Sequence, residues 1–169
     1  MVLINNPIEF QMVMNAKMVA VVNGVMKRIL DELGNIIDEE VYSYPLNGAW
    51  QNRTGEFKQS WDFSVPTIMN NWCESILSQE AFGHYTPNNN RGEFSHGNGW
   101  SSLFGFDSLN NIINDGLSQS NFNFPAIESR PFWNIFQQWL GLNFEKMFKE
   151  ECINNDLPIE MATAFYEFD

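Results

Sequence analysis

Apolar residues recur at Met18, Val22, Val25, Ile29, Leu33 and Ile36, with the three-and-four spacing of one buried helical stripe. The stripe has a clear start. Asn6 is a capping residue, Pro7 suits the first helical position, and Glu9 stands three residues after the cap. Its end is less plain. A helix running unbroken from Pro7 to Tyr44 would be about 56 Å long at ~1.5 Å per residue, more than a compact domain of this size accommodates. The pattern therefore predicts a break near Gly24 or Gly34, or a helix that projects. Asp38, Glu39 and Glu40 gather where the helix dipole disfavours anions. Two readings account for them: the helix stops near Gly34, or its end meets a basic neighbour.

Tyr44 and Pro45 stop this element, and the chain enters a central stretch, Trp50 to Glu80. Arg53, Thr54 and Gly55 form a turn there, with Thr54 as N-cap of a short helical turn. Phe57 and Trp61 lie four apart and share a helical face pointing into the core. From Trp61 the period changes to two. Trp61, Phe63 and Val65 take one side and Asp62 and Ser64 the other, a half-buried strand that Pro66 ends or places at an edge. After Asn70 and Asn71 a second alternation sets Trp72, Glu74 and Ile76 against Cys73, Ser75 and Leu77. The two runs read as an antiparallel pair.

Phe82 to Gly105 is rich in Gly, Asn and Ser interleaved with aromatics, a long irregular segment of the functional or disordered kind. It holds both histidines, His84 and His96, with only Glu93 near them, too few convergent ligands for a metal. Tyr85, Asn88, Asn89, Asn90 and Trp100 have the chemistry of a carbohydrate-binding loop. Asp107 caps a short helix over Ser108 to Asp115, with Leu109, Ile112 and Ile113 inward and Gly116 as its stop. Phe122 and Phe124 alternate in the next linker. Ser129, Arg130 and Pro131 then open the last strong element. Phe132, Phe136, Trp139 and Leu140 form one apolar face, continued by Phe144, Met147, Phe148 and Cys152, while Lys146 and Lys149 lie toward its C-terminal end, where the dipole favours cations. Pro158 comes after it. The final residues combine acids with Phe165, Tyr166 and Phe168, either as a disordered tail or as an arm that docks its rings on a neighbour.

The totals narrow the function. With 169 residues the chain is most economically one domain, residues 1–155, continued by an acidic aromatic arm, 156–169. A net charge of -12 argues against gripping nucleic acid, because phosphate binding needs clustered Lys and Arg and the 9 basic residues are scattered. An acidic surface does let a duplex pass without sticking. The 15 Phe and 6 Trp exceed what one modest core needs, so some rings are expected to meet a partner or a neighbouring subunit. Cys73 and Cys152 make no disulfide framework, no secretory signal is recognisable, and no apolar run approaches the ~20 residues of a membrane span. Nothing matches a nucleophile elbow, a phosphate loop, a zinc-protease motif or a close cysteine pair. Neither catalysis nor a cofactor is expected, and assembly is the stronger hypothesis.

The order of parts resembles the tail-completion or head-to-tail joining proteins of tailed bacteriophages. The matching residues are Arg53, Thr54, Gly55, Phe57, Ser60 and Trp61 in the centre and Arg130, Pro131 and Phe132 at the last helix. The likeness covers roughly Asn15 to Asn155. It departs from the family pattern after the second strand, where only Tyr85, Gly92 and Glu93 correspond to a Tyr-Ala and Glu-Gly signature. The resemblance implies an α+β fold, with long N-terminal and C-terminal helices packed on a small antiparallel sheet and a long Gly/Asn-rich loop, 82–105. It also implies a homo-oligomeric ring, commonly of six subunits, in the virion neck between the portal and adaptor proteins and the tail-tube or tail-terminator proteins. Such a ring, made in the host bacterial cytoplasm, would pass DNA without specific binding and would touch no membrane. The interface candidates are Arg53, Thr54, Gly55, Tyr85, Trp100, Arg130, Phe165, Tyr166 and Phe168. The alternative is a carbohydrate-binding or other non-catalytic binding module that uses the Asn/aromatic loop; an acidic mimic of DNA is a further rival.

Overall fold

The computed structural model describes residues 6–43, 56–70, 72–79, 113–115 and 129–168. The expected RTG turn, the 82–105 loop with its histidines, and the Asp107 cap lie outside them. The architecture is α+β: a long N-terminal helix, a C-terminal helix and two small antiparallel sheets.

Helix α1 spans Pro7–Ile37. Asn6 caps it as its position suggests, its side-chain oxygen accepting the Ile8 N–H at 3.0 Å while its carbonyl accepts the first helical bond from Phe10. The helix breaks at neither Gly24 nor Gly34. It continues into a wider π turn, Asp38–Tyr42, closed by the Ser43 N–H bonding to the Asp38 carbonyl at 2.9 Å. Buried positions step by four, through Val21, Val25, Ile29, Leu33, Ile37 and Val41, with Met26 and Ile36 beside them. Val21 takes the buried place expected of Val22, and Met18, where the stripe was expected to begin, is only partly buried.

A basic neighbour meets the acidic helix end. Lys58 pairs with Asp38 and donates its backbone N–H to the Tyr42 hydroxyl at 3.3 Å. Arg130 donates to the Val41 carbonyl, one of the acceptors that the helix end leaves without an internal partner. Gly34 makes room for Lys58, whose Cε would stand 2.8 Å from any Cβ added there. The helix therefore runs past Gly34 because its terminal carbonyls and Asp38 are answered by two cations from later in the chain.

Helix α2, Glu56–Gln59, leads into strand β1, Trp61–Phe63. Phe57 and Trp61 are both buried and meet edge to face, though not on one helical face as their spacing suggests, because the helix ends at Gln59 and Trp61 opens the strand. The two expected strands are shorter and more divided than their alternation suggested. β1 stops at Phe63, leaving Val65 exposed, and the chain passes a buried Pro66 to β2, Thr67–Met69. Strands β3, Trp72–Glu74, and β4, Leu77–Gln79, share what had read as one run. β2 pairs with β3, and β1 with β4. Ser64 and Ser75 interrupt the ribbon: the Ser75 hydroxyl donates to the Ser64 carbonyl at 2.6 Å and the Ser64 hydroxyl accepts the Ile76 N–H at 2.9 Å. These hydroxyl bonds stand beside a backbone bond from the Ser64 N–H to the Ile76 carbonyl at 2.9 Å. The Met69↔Trp72 register leaves two residues for the inner turn, and Asn70 takes the positive φ, 55°, that such a turn demands.

Helix α3 spans Phe132–Asn154, with Phe132, Phe136, Leu140, Met147 and Cys152 buried on the expected face. Its end is a Schellman turn. The Leu157 N–H bonds to the Cys152 carbonyl and the Asp156 N–H to that of Ile153, with Asp156 at φ 51°.

Contacts divide the chain into two compact units, with boundaries inside α1, β1, β4 and α3. The first comprises Met1–Asp31, Phe63–Ser78 and Leu140–Asp169. Its core includes Val21, Cys152 and Leu157, with Met14, Met18, Phe148, Ile159 and Ala162 packed against them. Arg28 clamps α3 to α1 through Glu150 at 2.8 Å and Glu151 at 3.5 Å, and Lys17 donates to the Asp156 carbonyl at 2.6 Å. The second unit, Glu32–Asp62 and Gln79–Trp139, is built on aromatics. Phe57 meets Phe132 edge to face at 5.3 Å, Trp61 stacks on Trp133 at 5.3 Å, and Trp133 leans on Phe136 at 5.2 Å. Each such pair adds about 0.5–1.5 kcal/mol to the burial of its rings. Part of the aromatic surplus is thus core.

Candidate interaction surfaces

Among the described residues no group of three or more His, Cys, Asp or Glu is placed to hold a metal, and no helix is long and apolar enough to cross a membrane. The two cysteines are free thiols. Burial, reinforced by the adjacent Glu74, pushes the Cys73 thiol above its ordinary pKa, and burial with Glu151 does the same to Cys152. A raised pKa suppresses the reactive thiolate.

What the described surface does offer is exposed apolar side chains, two sets of which lie in the first unit; Val65 and, on α3, Leu142 and Ile153 are exposed as well. The first lies on the opening turns of α1. Ile8 and Met12 stand 69% and 67% exposed, and Phe10 and Val13 are exposed as well. These residues precede the buried line, and they surround the helix instead of forming one stripe. Glu9 and Lys17 are the only charges in residues 1–26, and they cancel.

The second group is the β2–β3 hairpin with the C-terminal arm. Trp72 is 55% and Ile76 62% exposed, and Met69, directly across the ladder from Trp72, is exposed too. After a 3-10 turn, Ile159–Met161, the arm lies against its own chain. Tyr166 meets the Phe144 ring edge to face at 4.8 Å, with Gly141 beneath its hydroxyl, and Phe165 leans on Trp72 at 5.8 Å. Phe165 nevertheless remains 62% exposed.

Of the nine interface candidates, Arg53, Thr54, Gly55, Tyr85 and Trp100 lie outside the described residues. Arg130 serves the C-terminal end of the π turn, and Phe165, Tyr166 and Phe168 share the arm. The hairpin residues and the α1 tip were missed. One signal was available for the hairpin: alternation placed Trp72 and Ile76 on the same side as Glu74, and a carboxylate on that side marks it as the outer one. Comparison with protein-family models, curated proteins and solved structures gives no match for this chain.

Proposed function

We propose that the chain is a non-catalytic structural subunit that associates with copies of itself, and that the assembly is a ring in the neck of a tailed bacteriophage, between the portal and adaptor proteins and the tail tube. The observation that carries self-association is the α1 tip. In a chain of net charge -12, like-charge repulsion opposes contact between copies over most of the surface. The opening turns of α1 are both apolar and electrically neutral, so copies can bury Ile8, Phe10, Met12 and Val13 there without bringing acids together. Placement in a phage neck rests on the RTG, Ser-Trp and Arg-Pro-Phe resemblance, and an acidic ring suits DNA that must pass and not stick.

Light scattering tests both parts. The protein is measured alone and mixed with the portal, adaptor and tail-tube proteins encoded beside it. A multi-subunit mass in any of these conditions, reduced to a monomer by Ile8→Glu with Met12→Glu, is the expected result. A monomer indifferent to all of them would end the reading.

A further inference from the structure

The hairpin–arm face differs from the α1 tip in charge, and that difference selects its occupant. Segments 63–79 and 159–168 carry Glu74, Glu160 and Glu167 and no Lys, Arg or His. On α3, Lys149 pairs with Glu145 and Lys146 with Glu150. Met69, Trp72 and Phe165 therefore form an apolar centre, with Ile76 exposed further along the chain, and their own segments supply only negative charge. A second copy brought face to face would set acids against acids. Nucleic acid and anionic lipid are repelled for the same reason.

We propose that this face docks a different protein, one that presents apolar side chains flanked by Lys or Arg. Burying the centre supplies affinity, since exposed Trp, Met and Phe are the side chains that interface cores favour. Glu74 and Glu167 supply orientation and partner choice, because charge at the rim governs encounter and rejects like-charged surfaces.

The test uses the full chain and two synthetic peptides, one alternating Val with Lys around a central Phe, the other with Glu in place of Lys, each labelled for fluorescence anisotropy. The Lys peptide should bind and weaken ~10-fold or more as salt is raised, and the Glu peptide should not. Trp72→Ser with Ile76→Ser should weaken binding ~10-fold or more with the melting temperature held, since both side chains are already largely exposed. Glu74→Lys with Glu167→Lys should transfer the preference to the Glu peptide. Equal binding of both peptides, no binding of either, or indifference to the serine substitutions would overturn the proposal. So would a concentration-dependent dimer abolished by Ile76→Ser, which would seat a second copy on the face. Substitutions at Ile8 and Met12 should leave peptide binding unchanged, so either reading can fail without the other.

Discussion

The side-chain oxygen of Asn114 accepts the backbone N–H of Trp133 at 3.1 Å and that of Asn134 at 3.4 Å, capping a helix that begins 18 residues further along the chain than Asn114 itself. The Ile135 N–H bonds to the Pro131 carbonyl, which makes Pro131 the cap residue by position, and proline has no side-chain acceptor to offer. Asn114 supplies what Pro131 lacks. Two further bonds hold it in place, from the Arg130 N–H to the Ile113 carbonyl and from the Ser129 hydroxyl to the Asn114 carbonyl. Asn114→Ala should cost about 1–2 kcal/mol, the usual value of a lost cap, measured as a lower urea midpoint at unchanged slope. Asn114→Asp keeps an acceptor at a helix N-terminus that favours negative charge, and should recover part of the loss.

The pattern of apolar residues made both long helices legible, because burial on one stripe leaves a trace every three or four residues. Phe132, Phe136, Leu140, Met147 and Cys152 are buried as their spacing predicts. What the pattern could not carry was decided by partners distant in sequence. Whether α1 stops at Gly34 depends on Lys58 and Arg130, and nothing within α1 announces either. The cap of α3 comes from Asn114 for the same reason. Alternation set Trp72 and Ile76 beside Glu74, whose carboxylate marks an outer side, and both are exposed; that Phe165 would lie against Trp72 depends on a segment far along the chain and left no trace in the run. The arm was open between disorder and docking, and its rings lie on Trp72 and Phe144 of the same chain.

Asp156 holds a left-handed backbone, φ 51°, in the Schellman turn that ends α3. Glycine is the residue that this position ordinarily takes, since a Cβ there costs energy that glycine avoids. The Asp156 contact with Lys17 uses its main-chain carbonyl, which any residue retains. Asp156→Gly should therefore stabilise the protein by about 0.5–1 kcal/mol, after allowing for the greater freedom of glycine in the unfolded chain. Asp156→Val, with a β-branched side chain in the same conformation, should destabilise it. Chemical denaturation of the two variants tests the sign of each.

Cys152 is fully buried beside Val21 and Leu157, whereas Cys73 is partly open on β3. A thiol reagent should label Cys73 in the native protein and Cys152 only as the chain unfolds. The direction of the shift sets the pH dependence. Burial raises the folded pKa of Cys152, so above the ordinary thiol value the unfolded chain gives up this proton first. The stability it contributes is intact below about pH 8.5 and declines as pH rises from there toward the folded value. In Cys152→Ala the fall of stability over this window should be shallower, as read from urea midpoints.

Gly24 lies where α1 passes the side chain of Glu151, and a Cβ added at Gly24 would stand 2.3 Å from a Glu151 carboxylate oxygen. Alanine is favoured over glycine by about 1 kcal/mol within a helix, so Gly24→Ala carries opposing effects. The carboxylate must swing aside, loosening its 3.5 Å contact with Arg28, although the 2.8 Å contact of Arg28 with Glu150 can remain. A 3.5 Å contact between a half-exposed Arg28 and a partly buried Glu151 contributes about 1 kcal/mol, so Gly24→Ala alone should fall near neutral. With Glu151→Ala the obstruction is gone, and the same glycine replacement should now stabilise by about 1 kcal/mol. A double-mutant cycle reads the difference as a coupling of roughly 0.5–1 kcal/mol between two residues that share no hydrogen bond. A coupling of zero would mean that Glu151 does not lie over Gly24 in solution.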